Sequence, residues 1–351
     1  MVFVGFAIVR LASGDAHSLI LKRNGTLWAT GSNAEGQLGD GSNKDRDSFV
    51  QVMSGGAKAV AAGWYHSMVL KQDGSVWSTG RNTGGQLGDG SNTDRSSFVQ
   101  TVSIGAKAVS AGYDHSMVLK QDGSVWVTGR NFHGQLGTGS KAGRNTVLQV
   151  FSSGVKAVSA GCYHSMALMH DGSVWSAGDN SFGQLGDGST TSRRRFVQVV
   201  SSGAKAVSAG WHHSMVLKYD GSVWATGRNY YGQLGDTSKI DRKDFVQVIS
   251  RGAKAVATGW HHSIVLREDG GVWATGWNED GQLGDGSKTD RHNFVQVIIS
   301  GARAVATGSR HSLVAKQDDT VLATGENKYG QLGDRSTIPK KNFVIVQSSA
   351  G

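Results

Sequence analysis

Apolar and polar positions alternate in short runs along almost the whole chain, and each run stops at a glycine or a polar turn. From Lys205 the chain reads KAVSAG, then HSMVLK, then SVWATG, and later FVQV. Alternation with a period of two over four to six residues predicts half-buried β-strands. No segment places apolar residues at i, i+3, i+4 and i+7 for three turns, which argues against amphipathic helices. The strands are separated by a two-residue loop (Trp211-His212), a polar turn (YDGS) and a long glycine-bearing loop, RNYYGQLGDTSKIDRKD. Asp220-Gly221 suits a type I′ hairpin turn, in which both central residues take positive φ.

The pattern repeats. His-Ser begins at His17, His66, His115, His164, His213, His262 and His311, always 49 residues apart. Gly-Gln-Leu-Gly begins at Gly36, Gly85, Gly134, Gly183, Gly232, Gly281 and Gly330, again at steps of 49. Four short antiparallel strands per repeat make one propeller blade, and seven blades close a ring in which sheets cover one another's faces. The expected fold is therefore all-β, a seven-bladed β-propeller occupying residues 1–351 as a single domain. The last copy ends at FVIV with no following KAV strand, and the first begins at IVRLASG with no preceding FVQV strand. The N- and C-terminal strands are therefore expected to share one blade.

Composition sharpens this picture. Fifty-one glycines and one proline fit many tight turns, and no Gly-X-Y period exists. A lone cysteine, Cys162, excludes an internal disulfide framework and suits a reducing compartment, cytoplasmic or nuclear. The net charge of +9 is scattered, with only short runs such as Arg193-Arg194-Arg195 and Lys340-Lys341. It reads as a solvated surface, with weak contact to nucleic acid or an acidic protein through basic loops as a secondary expectation. The N-terminal MVFVGFAIVRLASG lacks a basic leader and is interrupted by Arg10, so it reads as strand rather than signal peptide. No apolar run reaches 18 residues, so no membrane span is expected, and the chain is read as a monomer.

The recurrent residues look architectural. Adjacent strand residues point to opposite faces, so His115 and Ser116 cannot form a nucleophile and base. The expected role of each histidine is to satisfy loop backbone groups. His212 and His261 lack third and fourth metal ligands, so no metal is expected. Asp40, Asp89, Asp187 and Asp285 lack the spaced carboxylates of a calcium loop and read as turn residues. Trp28, Trp77, Trp126, Trp175, Trp224 and Trp273 read as packing between blades. No phosphate loop or paired acid emerges, so neither enzyme activity nor a cofactor is expected.

What varies is more informative. Two loops per repeat lie on the same rim: one between Gly and His-Ser, the other between Asn and Gly-Gln-Leu-Gly. They concentrate Trp64, Tyr65, Tyr113, Tyr163, Trp211, His212, Tyr230, Tyr231, Trp260 and His261, and Trp277 and Arg310 complete the candidate partner-binding set. Tyr, Trp and Arg are common binding anchors.

The repeat Gly-x-x-His-Ser, apolar strand, Asp-Gly, apolar-aromatic strand, Gly-x-Asn-x-x-Gly-Gln-Leu-Gly resembles that of the regulator of chromosome condensation family. Its asparagine falls at Asn33, Asn82, Asn131, Asn180, Asn229, Asn278 and Asn327. The family's proline before the last strand is replaced by Phe49, Phe98, Phe196, Phe245, Phe294 and Phe343, with Val147 in the third copy. The resemblance implies a seven-bladed propeller and several possible activities. The family holds a chromatin-docked exchange factor for the GTPase Ran, a plant UV-B photoreceptor, a β-lactamase inhibitor and domains attached to ubiquitin ligases. The invariant spacing leaves no insertion to serve as an exchange wedge. The photoreceptor's Gly-Trp-Arg-His-Thr hallmark is matched at Trp64, Trp211 and Trp260, but Tyr65, His212 and His261 hold its arginine position. The expected function is a non-enzymatic scaffold that binds an unidentified protein through the aromatic rim. An exchange factor or chromatin-binding regulator, and a tryptophan-based photoreceptor, are the alternatives.

Overall fold

The computed structural model describes residues 8–347; residues 1–7, read above as the start of a strand, lie outside the described residues. Seven four-stranded antiparallel sheets follow one another, each built from consecutive strands. The first blade runs Ile8–Ser13, His17–Lys22, Leu27–Gly31 and Arg46–Met53. The seventh runs Ala302–Thr307, His311–Lys316, Val321–Gly325 and Lys340–Gln347. The first strands of neighbouring blades pack side by side around the axis, and the first blade's lies beside the seventh's.

This corrects one expectation. The chain ends do not share a blade, because Ile8–Ser13 pairs within the first sheet and Lys340–Gln347 within the seventh. The sequence repeat and the blade are in phase, so each terminal blade is complete by itself. The ring closes through side chains: Ile20 of the first blade packs against Ala315 and Val321 of the seventh. Equivalent clusters fill the other seams, such as Met117, Leu119, Val125 and Val127 against Val155 and Ala167.

The histidines are the main links between blades. His17 Nε2 lies 2.9 Å from Ser67 Oγ in the next blade, and the series continues through His66–Ser116, His115–Ser165, His164–Ser214, His213–Ser263 and His262–Ser312. His311 to Ser18, at 2.9 Å, completes the circle. Each serine donates its own proton to a glutamine carbonyl of the preceding blade, as Ser67 Oγ does to Gln37 O at 2.7 Å. A hydroxyl has one proton, so it must accept from imidazole, which places the histidine proton on Nε2. The expected partner, loop backbone, is thus corrected to the neighbouring serine. The bare Nδ1 edge rests against the glycine three residues upstream, where a methyl on Gly14 would collide with the ring of His17.

The Gly-Gln-Leu-Gly loops complete the seams. The last glycine of the motif lets the following blade's last strand approach: Gly39 lies under Phe98, Gly284 under Phe343 and Gly333 under Phe49 across the closure, with Val147 over Gly88. The substituted phenylalanines therefore pack between blades. Within each loop the asparagine amide bonds the turn: Asn33 Nδ2 donates to Asp40 Oδ1 at 3.0 Å, and Asn33 Oδ1 accepts from Leu38 N at 2.9 Å. Asp40 also holds Arg46 at 2.6 Å. The third-strand tryptophans are half-buried between blades, Trp28 packing against the closure cluster.

The hairpin prediction also needs correction. At Asp220-Gly221 only the glycine has positive φ, 79°. Gly221 N donates to Lys218 O at 3.1 Å and Lys218 N to Ser222 O at 2.9 Å. This is a three-residue loop, a type I turn closed by a left-handed glycine. Asp220 Oδ1 accepts from Ser222 N at 2.8 Å, the aspartate's usual way of fixing such a turn.

Two outcomes follow. Burial lowers the ring histidines' pKa from 6.5 to about 3, and that of His66 to about 4, with charge repulsion from neighbouring histidines adding at most of them. A base whose folded pKa lies below its unfolded pKa contributes fully above pH 6.5 and loses that contribution as pH falls. At pH 5.5 each histidine costs about 1.4 kcal/mol. Seven such losses rival the net stability of a typical domain. Thermal unfolding should therefore show a flat Tm from pH 8 to 7 and a steep fall below pH 6; a Tm unchanged down to pH 4.5 would contradict the neutral ring. Separately, Thr237 takes φ 67° where five other repeats have glycine. Thr237→Gly should stabilise by about 1 kcal/mol, read as a small rise in Tm.

Candidate functional site

The loop between Gly and His-Ser ends the innermost strand, so its first residue faces the axis. Asp15, Trp64, Tyr113, Cys162, Trp211, Trp260 and Ser309 line one mouth of the central channel, around a cavity of about 180 Å³. The aromatic members meet across the ring. Trp64 stands edge-on to Tyr113 at 3.9 Å between centroids and reaches Trp211 at 6.2 Å and Trp260 at 5.9 Å. Trp211 and Trp260 are 4.3 Å apart. All four are half-buried, and together they form a plug. Sevenfold convergence on an axis brings these bulky residues into mutual contact, so each offers only part of its surface at this end.

The second loop residue sits one step outward. Tyr65 stacks on Trp64 at 5.7 Å, and Tyr163 lies 5.4 Å from Tyr113. His212 lies between Trp211 and Phe182, at 4.7 and 4.9 Å, with Asp179 3.7 Å from its Nδ1. His261 lies between Trp260 and Tyr231, at 5.3 and 4.9 Å. Arg310 covers Trp260 and Trp277, at 4.9 and 4.7 Å, and pairs with Asp280 at 3.5 Å. Tyr230 stands at the rim, 62% exposed, edge-on to Tyr231. The structure thus gathers the sequence-derived set on one end but buries much of it; Trp277, His212 and His261 are buried.

Several residues of this end escaped the sequence reading. The residue before each asparagine also varies: Ser32, Arg81, Arg130, Asp179, Arg228, Trp277 and Glu326. Arg81 lies over Tyr65 at 5.5 Å, Arg228 over Phe182 at 4.8 Å, and Arg130 is 3.3 Å from buried Asp114. Phe132 is 65% exposed. The same test of variability, applied one residue earlier, would have found the arginines.

Electrostatics divide this face. Burial raises the carboxyls of Asp15, Asp114, Asp280 and Glu326, and nearby arginines oppose that rise: Arg310 at Asp15, Asp280 and Glu326, Arg130 and Arg81 at Asp114. Burial lowers His212 to about 4 and His261 to about 2, so both are neutral at pH 7. Burial also raises the Cys162 thiol, which keeps it protonated. Among the described residues no group of three or more His, Cys, Asp or Glu is placed to hold a metal. No helix among the described residues is long and apolar enough to cross a membrane. The face offers rings, guanidinium groups and carboxyls on a rigid frame, which is the chemistry of protein recognition.

Fold and repeat define a repeat-built β-propeller. The chain belongs to the RCC1-like domain family, whose model matches residues 2–301, and the Regulator of chromosome condensation (RCC1) repeat matches residues 302–331. No curated relative matches the chain. Among solved structures, human WBSCR16 is 22% identical with a TM-score of 0.77, covering 88% of this chain and 86% of that one. Prp20p from Saccharomyces cerevisiae, described with its binding to Gsp1p and histones, is 22% identical with a TM-score of 0.76, covering 88% and 82%. Yeast RCC1 (Prp20) bound to Kap60 is 18% identical with a TM-score of 0.82, covering 99% and 86%. At such identities the likeness concerns the fold.

The plug makes a prediction. Trp211→Ala should destabilise the ring by about 2–4 kcal/mol, because it opens a cavity among packed rings. Tyr230→Ala at the rim should change stability by no more than about 0.5 kcal/mol. Thermal unfolding of the two variants distinguishes plug from rim, and equal effects would refute the distinction.

Proposed function

We propose that this propeller is a guanine-nucleotide exchange factor for a Ran-like GTPase, acting in the nucleus as a chromatin-associated regulator. The observation that carries this reading is the superposition on yeast RCC1 (Prp20) over 99% of the chain, together with family membership across residues 2–301. It replaces the scaffold for an unidentified partner expected from sequence. The Prp20p structures, described with Gsp1p, histones and Kap60, overturn that expectation in favour of a regulator with defined partners.

Exchange of this kind makes and breaks no covalent bond in the nucleotide. The factor acts by binding the nucleotide-free GTPase more tightly than the loaded form. It therefore needs a stiff, shaped surface rather than catalytic residues. The aromatic end supplies one, because the plug and the asparagine-bonded loops hold their shape before binding. In this reading the GTPase docks on Phe132, Tyr230, Tyr65 and Arg310, beside the arginines Arg81, Arg130 and Arg228. The missing insertion is no obstacle if the wedge is the exposed rim itself, at Phe132 and Tyr230.

The test is release of fluorescent GDP from purified Ran. Wild type should accelerate release catalytically. The double variant Phe132→Ala/Tyr230→Ala should lose roughly tenfold or more of that acceleration, as expected when hot-spot aromatics are truncated, with Tm unchanged. Absence of acceleration by wild type would overturn the exchange reading; full activity in the double variant would overturn the docking site.

A further inference from the structure

The opposite end of the ring carries a feature repeated as faithfully as the histidines. Each innermost strand begins with a β-bulge. In the second blade Ala57 pairs with Lys71 and Ala59 with Leu70, leaving Lys58 as the extra residue. The same slip isolates Lys107, Lys156, Lys205, Lys254 and Arg303 in the next five blades. The first blade has the bulge too, but with Val9 at that position. A bulge re-aims its extra side chain out of the alternation of the strand. Here it does so six times, with a cation each time, on the strands that surround the axis. From Lys58 to Trp64 is six residues of strand, so this cationic ring lies about 20 Å from the aromatic plug.

These cations differ from the others at that end. Four of the lysines that end the second strands are already occupied: Lys22, Lys71, Lys120 and Lys218 lie over Trp28, Trp77, Trp126 and Trp224 at 3.7–4.5 Å, while Lys316 lies near Asp318. The hairpin aspartates lie near them, Asp73 by Lys71, Asp122 by Lys120 and Asp220 by Lys218, and bond their own turns. Asp171, Glu268, Asp269, Asp318 and Asp319 complete the hairpin acids. Of the bulge cations, Lys156 donates to Tyr219 Oη at 2.6 Å and Arg303 pairs with Asp319 at 2.6 Å. Lys58, Lys107, Lys205 and Lys254 are exposed and make no hydrogen bond or salt bridge within the described residues.

We propose that this ring of bulge lysines is a binding site for a compact polyphosphate. A cation at the same strand position in six of the seven blades, around one axis, matches phosphates disposed around a small ring. It does not match the linear phosphate stripe of a duplex, which calls for cations along a line. Lysine suits this role as a mobile point charge that reaches phosphates from several directions. The ligand is either a soluble inositol polyphosphate or the head group of a phosphoinositide, which present the same chemistry. The site stands apart from the proposed GTPase face and does not depend on it.

Calorimetry with inositol hexakisphosphate tests the proposal on the full chain. Wild type should bind, and the variant with Lys58, Lys107, Lys205 and Lys254 changed to Gln should bind roughly tenfold or more weakly. A control with Lys44, Lys141, Lys239 and Lys288 changed to Gln removes the same charge from exposed sites elsewhere and should stay within about threefold of wild type. Thermal unfolding confirms that both variants fold. Vesicles containing phosphatidylinositol bisphosphate separate the sources: capture of wild type but not the bulge variant points to the lipid, and binding of inositol hexakisphosphate alone points to the soluble ligand. No binding to either probe, equal loss in both variants, or tighter bulge-dependent binding to short duplex DNA would each overturn the proposal.

Discussion

Everything in this molecule depends on a hydrogen-bonded relay that runs from blade to blade around the ring. An imidazole in one blade donates to a serine in the next, and that serine donates back to a glutamine carbonyl in the first. The relay is directional, because each hydroxyl has one proton to give and one to receive. It also demands a neutral histidine and a glycine under the ring. The relay needs only that each histidine and glutamine carbonyl be placed alike in every blade. Repeats spaced uniformly at 49 residues supply that placement at every seam. The closure between His311 and Ser18 is the same bond as at every other seam, so the ring needs no strand exchanged between its ends.

A frame this uniform restricts where chemistry can vary. The residues that form seams are fixed by their partners on both sides. Freedom remains at the two residues after the glycine, the residues flanking the asparagine, and the bulge at the start of each inner strand. These places fall at opposite ends of the channel, and they have diverged differently. The first end holds rings and arginines that pack on one another around the mouth. The second carries a cation in six blades, five lysines and Arg303. The two ends can therefore serve different partners without sharing a residue.

Other propellers superpose on this chain at low identity, so the likeness is of fold. What distinguishes one member from another lies at the variable positions. The absence of an inserted wedge therefore says less about activity than the shape of the rim formed by Phe132 and Tyr230.

The sequence by itself determined the strands, their number, the seven-bladed ring and the end on which variable residues gather. Period-two alternation and exact repetition are local properties of the chain, and one copy's reading is multiplied by seven. The partner of each histidine was not legible, since Ser67 is 50 residues from His17 and only blade packing brings them together. Likewise, Trp64 and Trp211 are three blades apart in sequence, and only closure around an axis makes them neighbours. The hairpin was misread because Asp220 bonds its own turn and stays at negative φ, a competition that the Asp-Gly pair alone does not reveal. Burial, tautomer and the re-aiming of the bulge lysines were decided by the tertiary structure, because each depends on what lies across a seam or on a one-residue slip in strand pairing.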